Sequence, residues 1–378
     1  MKSLLPLLKA ISLNKKDLEV DDIDDELFEL IINSGLAAYF NHSTQQSETT
    51  NKSINKTLLS SAELTAKFIT NIQLQALQEI LSASTNEVSE IILLKGISLC
   101  QNYYPFPHFR IMSDIDLLVL EKDTASLNTI LNKIGYIQTS EYSNEFYESH
   151  HHSMPYYNKN NNVWIEVHTH IFAKESPVIN DKVFNLDNIR ENSLPVNNDL
   201  YGDKVKYISP ELQLIYTCNH WAEDFNTQKC GIQFIDIILL IKNHGDGLDW
   251  QKIIIWLENT SSASNVYLAL SYLHKHGIIL LPLIFFNSLV LKHSNMSYIN
   301  RQLLYKLIDC YLLGEQRFNR VLTEDNVDII WRTLTRPSSS LVNLLYLPWN
   351  IVFPPKETNR YKIHFLINRL KNMLQTQN

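Results

Sequence analysis

Cysteine is scarce in this chain. Cys100, Cys218, Cys230 and Cys310 are too far apart to form CxxC pairs or the ligand spacing of a cysteine zinc site, so reduced, mostly buried thiols are expected. A long apolar run is also missing. The most apolar stretch, Ile278 to Leu291, contains Pro282, Asn287 and Ser288 and falls short of the roughly 20 residues a membrane crossing needs, so it reads as a buried helix pair or helix-turn. Met1 to Lys9 has an apolar patch broken by Pro6, without the longer run and cleavage site of a signal peptide. These absences point to a cytoplasmic protein with no membrane partner. Lysine and arginine are dispersed except near the C-terminus and the net charge is −7, which argues against a broad nucleic-acid groove. No internal repeat is evident.

What is present suits an ordinary globular protein. A length of 378 residues with 45% apolar residues predicts two or three packed units. Ile23, Leu27, Leu30 and Ile31 recur at helical spacing behind an acidic first turn, predicting a helix from Asp21 to Phe40. Asn41 to Lys56 reads as a surface loop, and Leu58 to Leu81 returns to helical periodicity. Glu90 to Leu94 is a short aliphatic strand that Lys95-Gly96 turns sharply into a helix or loop. After a strand around residues 114–120, Asp123 or Thr124 can cap a helix that Gly135 stops. From Ser209 onward the pattern is helical, with Pro210 in a first turn. The resulting division is a helical region over 1–88, a sheet-bearing core with a histidine-rich hairpin over 89–205, and a helical region over 206–378.

Asp114 and Asp116 carry the main chemical signal. Alternation along a strand sends both carboxylates to one face, and Leu117 to Leu120 run on into an apolar core, so two acids sit at the mouth of a buried strand and need a cation. Acid-x-acid triplets should arise by chance about four times at this composition, so the neighbourhood matters. Upstream is the Lys95-Gly96 turn. Downstream, Val163 to Phe172 alternates, with Val163, Ile165 and Val167 on one side and Trp164, Glu166, His168 and His170 on the other.

The Asn158 to Asn162 turn predicts a hairpin. A turn centred on Asn160 places His152 opposite His168, His150 opposite His170 and Met154 opposite Glu166, whereas a one-residue slip brings His151 to that face. In either register a histidine of the triplet lies near Glu166. Two strand carboxylates, a third acid on a neighbouring strand and a glycine turn for phosphates are the parts of metal-assisted phosphoryl transfer. Asp114, Asp116 and Glu166 are the candidate catalytic acids and metal ligands, Lys95 and Arg110 the candidate phosphate clamps, and Mg²⁺ or Mn²⁺ the expected ion.

Leu93-Leu-Lys-Gly96, Arg110 to Val119, His150-His-His152 and Ile165-Glu-Val-His168 occur in the order seen in an uncharacterised family of polymerase-β-like nucleotidyltransferases, which this chain resembles. Cys218-Asn-His-Trp221, Phe234-Ile-Asp-Ile237 and Phe353-Pro-Pro355 before Arg360-Tyr361 also look like that family, so the resemblance spans most of Leu64 to Leu370. It implies an α/β (α+β) fold with a mixed sheet core flanked by helices. It further implies transfer of a nucleotidyl group from an NTP substrate to an acceptor that it does not identify. Gly96 and Ser98 would contact the triphosphate, although Lys95-Gly-Ile-Ser98 and a long connection through Tyr103 to Pro107 replace the Gly-Ser signature of the wider superfamily. His150, His152 and His168 would line the pocket.

Two other classes compete. His150, His151, His152, His168 and His170 with Asp114 could bind zinc or manganese and hydrolyse a phosphoester. The fold could also persist as a nucleotide-binding scaffold without turnover. A buried Asp236 on an apolar helix needs a partner, so a structural hydrogen bond is expected there and at His220. Lys356, Arg360, Lys362, Arg369 and Lys371 make a basic tail that reads as a solvated helix face. Neither the NTP base nor the oligomeric state follows from the sequence.

Overall fold

The computed structural model describes residues 3–14, 25–44, 56–139, 147, 151–172, 181–196, 204–223, 225, 230–258, 260, 262–287, 296–312, 330–331 and 333–335. His150, the Phe353-Pro-Pro355 segment and the basic tail lie outside the described residues.

The sheet is mixed and has seven strands: β1 (Ile91–Leu93), β2 (Ile115–Val119), β3 (Ile137–Gln138), β4 (Tyr156–Asn158), β5 (Val163–His168), β6 (Ser193–Pro195) and β7 (Val205–Ile208). Their order is β3-β4-β5-β2-β1-β7-β6. The aliphatic strand β1 is buried throughout, as its sequence demands, with β2 antiparallel on one side and β7 parallel on the other. Alternation divides two cores. Ile91, Leu93, Leu117, Ile165 and Val167 pack with Leu77 and Ile80 of helix α4 (Lys56–Ser84) and with Leu127 and Leu131 of a helix at Glu121–Lys133. Ile92 and Leu118 face the other way, into a larger core shared with the N-terminal and C-terminal helices.

Two expected elements differ in detail. The helix after β2 begins at Glu121 with Leu120 at its cap, because Asp123 is drawn away to the backbone N–H and hydroxyl of Ser89. Its end is as expected: Gly135 adopts φ +90°, and Gly135 and Tyr136 donate to Asn132 and Leu131. The helix expected from Asp21 to Phe40 is two helices, α2 (Asp25–Asn33) and α3 (Ala37–Thr44). Gly35 at φ +72° ends α2, with Gly35 and Leu36 donating to Ile32 and Ile31, the double bond of a left-handed helix stop. Helix α3 also takes in Asn41 to Thr44, where a loop was expected.

Beyond β1 the chain enters helix α5 (Lys95–Asn102) directly. Among the described residues after β7 the chain is mainly helical, with α9 at Pro210–Glu223 and α10 at Cys230–His244 the first helices; α6 is the Glu121–Lys133 helix, and α7 (Asp181–Phe184) and α8 (Leu186–Glu191) intervene. Among the described residues no helix is long and apolar enough to cross a membrane. Of the apolar Ile278 stretch, Ile278 and Ile279 are buried, and a short helix at Leu283–Asn287 follows.

The hairpin has a one-residue offset. Tyr156 pairs with Ile165 near the turn, yet His152 pairs with His168 farther on, so Ser153, Met154 and Pro155 face only Glu166 and Val167. That is a bulge, and Pro155, which has no N–H to give a ladder, sits within it. His152 therefore meets His168 as expected, while Met154 is displaced from direct opposition to Glu166.

Candidate active site

Asp116 of β2 lies directly opposite Glu166 of β5 in parallel register, and His168 follows two residues later on the same face. Asp114 immediately precedes β2. Lys95 reaches this edge because the chain leaves β1 through an extended Leu94, whose N–H donates to the Asp116 carbonyl, and then reverses with Lys95 at φ +46°. A left-handed lysine is a strained conformation that persists where its surroundings demand it.

The contacts are short. Lys95 Nζ stands 2.7 Å from Asp116 Oδ1 and 3.6 Å from Glu166 Oε2. His168 Nε2 donates to Asp116 Oδ1 at 2.8 Å and lies 3.5 Å from Glu166 Oε2. His152 Nε2 is 3.9 Å from Glu166 Oε1, and its Nδ1 donates to the Ser153 carbonyl at 2.8 Å.

Charge is unevenly shared across this cluster. Burial pushes the Asp116 carboxyl up, but Lys95 and the His168 hydrogen bond outweigh it and hold the group well below the usual carboxylate range. Glu166 is likewise lowered, with burial overcome by His168 and Lys95. Asp114 goes the other way: burial and the charges of Asp116 and Glu166 push it up to about 7. His168 is raised by its bonds to Asp116 and Glu166 in spite of burial, and Lys95 is raised by Asp116 despite the same penalty. Burial lowers His152 in spite of Glu166.

This donor set fits a divalent cation. Ligand atoms of Asp116, Glu166 and His168 all lie within 4.8 Å of one another, and Asp114, crowded by like charges, is short of positive charge.

Beside the acids opens a cavity of about 450 Å³. Lys95, Gly96, Arg110, Asp114 and Asp116 line it, whereas Glu166 and His168 join the site through Lys95 and Asp116 from the hairpin side, and His152 through Glu166. At Gly96 an added Cβ would fall 2.6 Å from Met112 Cγ, so glycine there admits the Met112 side chain against the turn. Ser98 stands apart from the cavity. The chain is already helical at Lys95, which turns Ser98 inward with no exposed surface and no partner for its hydroxyl.

Arg110 lines the cavity but is held from behind. Its Nε donates to Asp236 Oδ1 at 2.8 Å, its Nη1 donates to the Ile111 carbonyl at 2.8 Å, and Tyr104 donates to Asp236 Oδ1 at 2.6 Å. Asp236 of α10 thus has the structural partner its burial requires. His220 of α9 lies on the cavity wall and stacks on Tyr216.

Sequence reasoning missed a further wall of the cavity, made by the α2–α3 turn at Asn33, Ser34 and Gly35 with Ile232 and Gln233 of α10. Ser34-Gly35 inside a helical pattern was the available signal. Comparison with curated proteins and with solved structures gives no match. Residues 22–276, which take in both walls of the cavity and the acid cluster, match the model of a family described as uncharacterised nucleotidyltransferase, and the chain belongs to that family.

Proposed function

We propose that this protein transfers an NMP group from an NTP to a hydroxyl of an acceptor, with release of pyrophosphate, and that Mg²⁺ or Mn²⁺ supports the reaction. The observation that carries this reading is the in-register pairing of Asp116 with Glu166, with Asp114 two residues upstream on the wall of the cavity. Asp114, Asp116 and Glu166 would hold the metal, which would neutralise the phosphates and activate the acceptor hydroxyl. Lys95 serves as a phosphate clamp, as does Arg110, whose orientation Asp236 sets before substrate arrives. Gly96 lies on the cavity wall at the start of α5, where first-turn N–H groups favour anions. His152, donating from Nδ1 to the Ser153 carbonyl, places its Nε2 3.9 Å from Glu166 Oε1 and lines the hairpin side of the site. Ser98, buried and not part of the cavity lining, is given no phosphate contact in this proposal.

The test is incubation with each labelled NTP, Mg²⁺ or Mn²⁺ and a host lysate. Label should pass to a macromolecule or metabolite in wild type and be absent with Asp114→Ala. No transfer from any nucleotide would overturn the reading.

His168 supports a second reading. A nitrogen ligand beside two carboxylates also suits zinc or manganese in a phosphoester hydrolase. Zinc that copurifies, with hydrolysis that needs no NTP, would favour it. A nucleotide-binding scaffold would instead bind nucleotide equally well as wild type and as Asp116→Asn, with no transfer by either.

A further inference from the structure

Among the groups lining the cavity, Ser34 has chemistry the phosphate-transfer machinery leaves unused. Ser34 is 1% exposed, lines the cavity, and its hydroxyl has no hydrogen-bond partner. An unmade hydrogen bond of this kind is a standing penalty to the folded state. The local backbone gives no reason for it, since the turn already satisfies its carbonyls through the N–H groups of Ser34, Gly35 and Leu36.

The rest of that wall has a consistent character. Gln233, 4% exposed, and Asn33 at the rim add amides, while Ile32, Ile111 and Ile232 supply aliphatic surface. Ser34 and Gly231 pack closely, since a Cβ at 231 would lie 3.5 Å from the Ser34 hydroxyl oxygen, which ties the turn to the start of α10. The wall carries no ionised side chain, in contrast to the Lys95, Arg110, Asp114 and Asp116 side of the same cavity.

We infer that the α2–α3 turn and Gln233 form the base-reading wall of the nucleotide site, with Ser34 as a residue that discriminates between nucleobases. The inference rests on the NTP substrate proposed above. A nucleobase is planar, with apolar faces and an edge of alternating donors and acceptors. Aliphatic side chains suit the faces, and amides and a hydroxyl suit the edge, because both kinds of group can donate and accept. The phosphates belong with the cations that line the same cavity. An acceptor hydroxyl carried on a macromolecule is a poor occupant, since Ser34 and Gln233 are too deeply buried for a large surface to reach.

A structural role and a reading role for Ser34 predict opposite things. If the hydroxyl waits for a ligand, Ser34→Ala keeps or slightly raises the melting temperature of the metal-free protein, because it removes an unpaired buried group. It also weakens binding of the preferred NTP by about 5–10-fold, the worth of one hydrogen bond, and leaves inorganic tripolyphosphate binding unchanged. The experiment is calorimetric titration of ATP, GTP, CTP, UTP and tripolyphosphate, each with Mg²⁺, into wild type, Ser34→Ala and Gln233→Glu. Gln233→Glu keeps the side-chain shape while replacing two donors by acceptors, so the order of base preference should change. If NTPs bind wild type with a base preference that both variants keep intact, the base-reading wall is refuted and the transferase reading stands. If wild type binds tripolyphosphate but shows no base preference, the wall is likewise refuted. If wild type binds neither NTP nor tripolyphosphate, the transferase reading itself fails and this inference goes with it.

Discussion

Arg110 and Asp236 are buried, and each answers the other: one guanidinium, one carboxylate, and the Tyr104 hydroxyl completing the acid's hydrogen bonds. Around Asp116, which lines the same cavity as Arg110, three carboxylates share Lys95 and His168. Both clusters are taken out of water, but only the first is balanced. Lys95 is held left-handed, and burial with the charges of Asp116 and Glu166 pushes the Asp114 carboxyl up to about 7, which Lys95 only partly offsets. A fold tolerates such an imbalance where a ligand completes the charge, and leaves none where side chains answer each other, as Asp236 answers the cavity-lining Arg110.

The largest expected effect breaks the balanced cluster. Asp236→Ala leaves a buried guanidinium without its anion and should cost about 3–5 kcal/mol, measured as a fall in the urea midpoint at constant slope. At the unbalanced cluster the effect should fall on activity instead. Asp116→Asn should lower nucleotidyl transfer at least about 100-fold and abolish the Mg²⁺-dependent rise in melting temperature. A smaller stability loss at Asp236 than at Asp116 would remove the distinction between the two.

The next effect concerns pH in metal-free protein held in EDTA. Asp114 has its folded pKa raised to about 7 against an ordinary value near 3.9, so the folded state binds the proton more tightly than the unfolded chain. Its stability contribution is therefore full below about pH 4 and is lost as pH rises toward 7. His168, also raised, adds stability below its ordinary pKa of about 6.5 and loses it as pH climbs further, so both slopes have the same sign. Asp116 and Glu166 are lowered and act below about pH 4.5, where their stabilising ionisation is lost. Asp114→Asn should flatten the decline between pH 5 and 7 and raise the melting temperature at pH 8 by about 2–4 °C, the shift of roughly 1 kcal/mol. An unchanged pH profile would mean that Asp114 is not the strained member of the set.

How much of this could be read from the sequence follows the range of the interactions. The strand carrying Asp116, the alternation that turns Glu166 and His168 to one face, and the glycine stop at Gly135 rest on neighbours a few residues apart, where periodicity and turn chemistry carry the information. The pairing of Asp116 with Glu166 joins strands 50 positions apart in the chain. Chemistry suggested that pairing, but strand register alone did not. Arg110 found Asp236 across 126 positions, a partner that no local pattern encodes. The bulge at Pro155 shifted the hairpin by one residue while keeping His152 against His168. Gly35 split one expected helix into two, and that break became a further wall of the cavity.

The smallest expected effect falls where sequence pattern and structure part most clearly. Ser98 stands where the wider superfamily's Gly-Ser motif suggests a phosphate contact, yet α5 is already helical at Lys95 and carries Ser98 into the interior. Its hydroxyl has no partner, so Ser98→Ala removes an unpaired group and a little volume together, and the two effects oppose each other. The net change should lie within about 0.5 kcal/mol, with NTP binding unaltered, in contrast to Lys95→Ala, which takes away the cation nearest Asp116. A large loss of nucleotide affinity in Ser98→Ala would mean that the first turn of α5 unwinds to meet the triphosphate. The left-handed Lys95 would then be a hinge, and the cluster at Asp116 would be set by substrate as well as by metal.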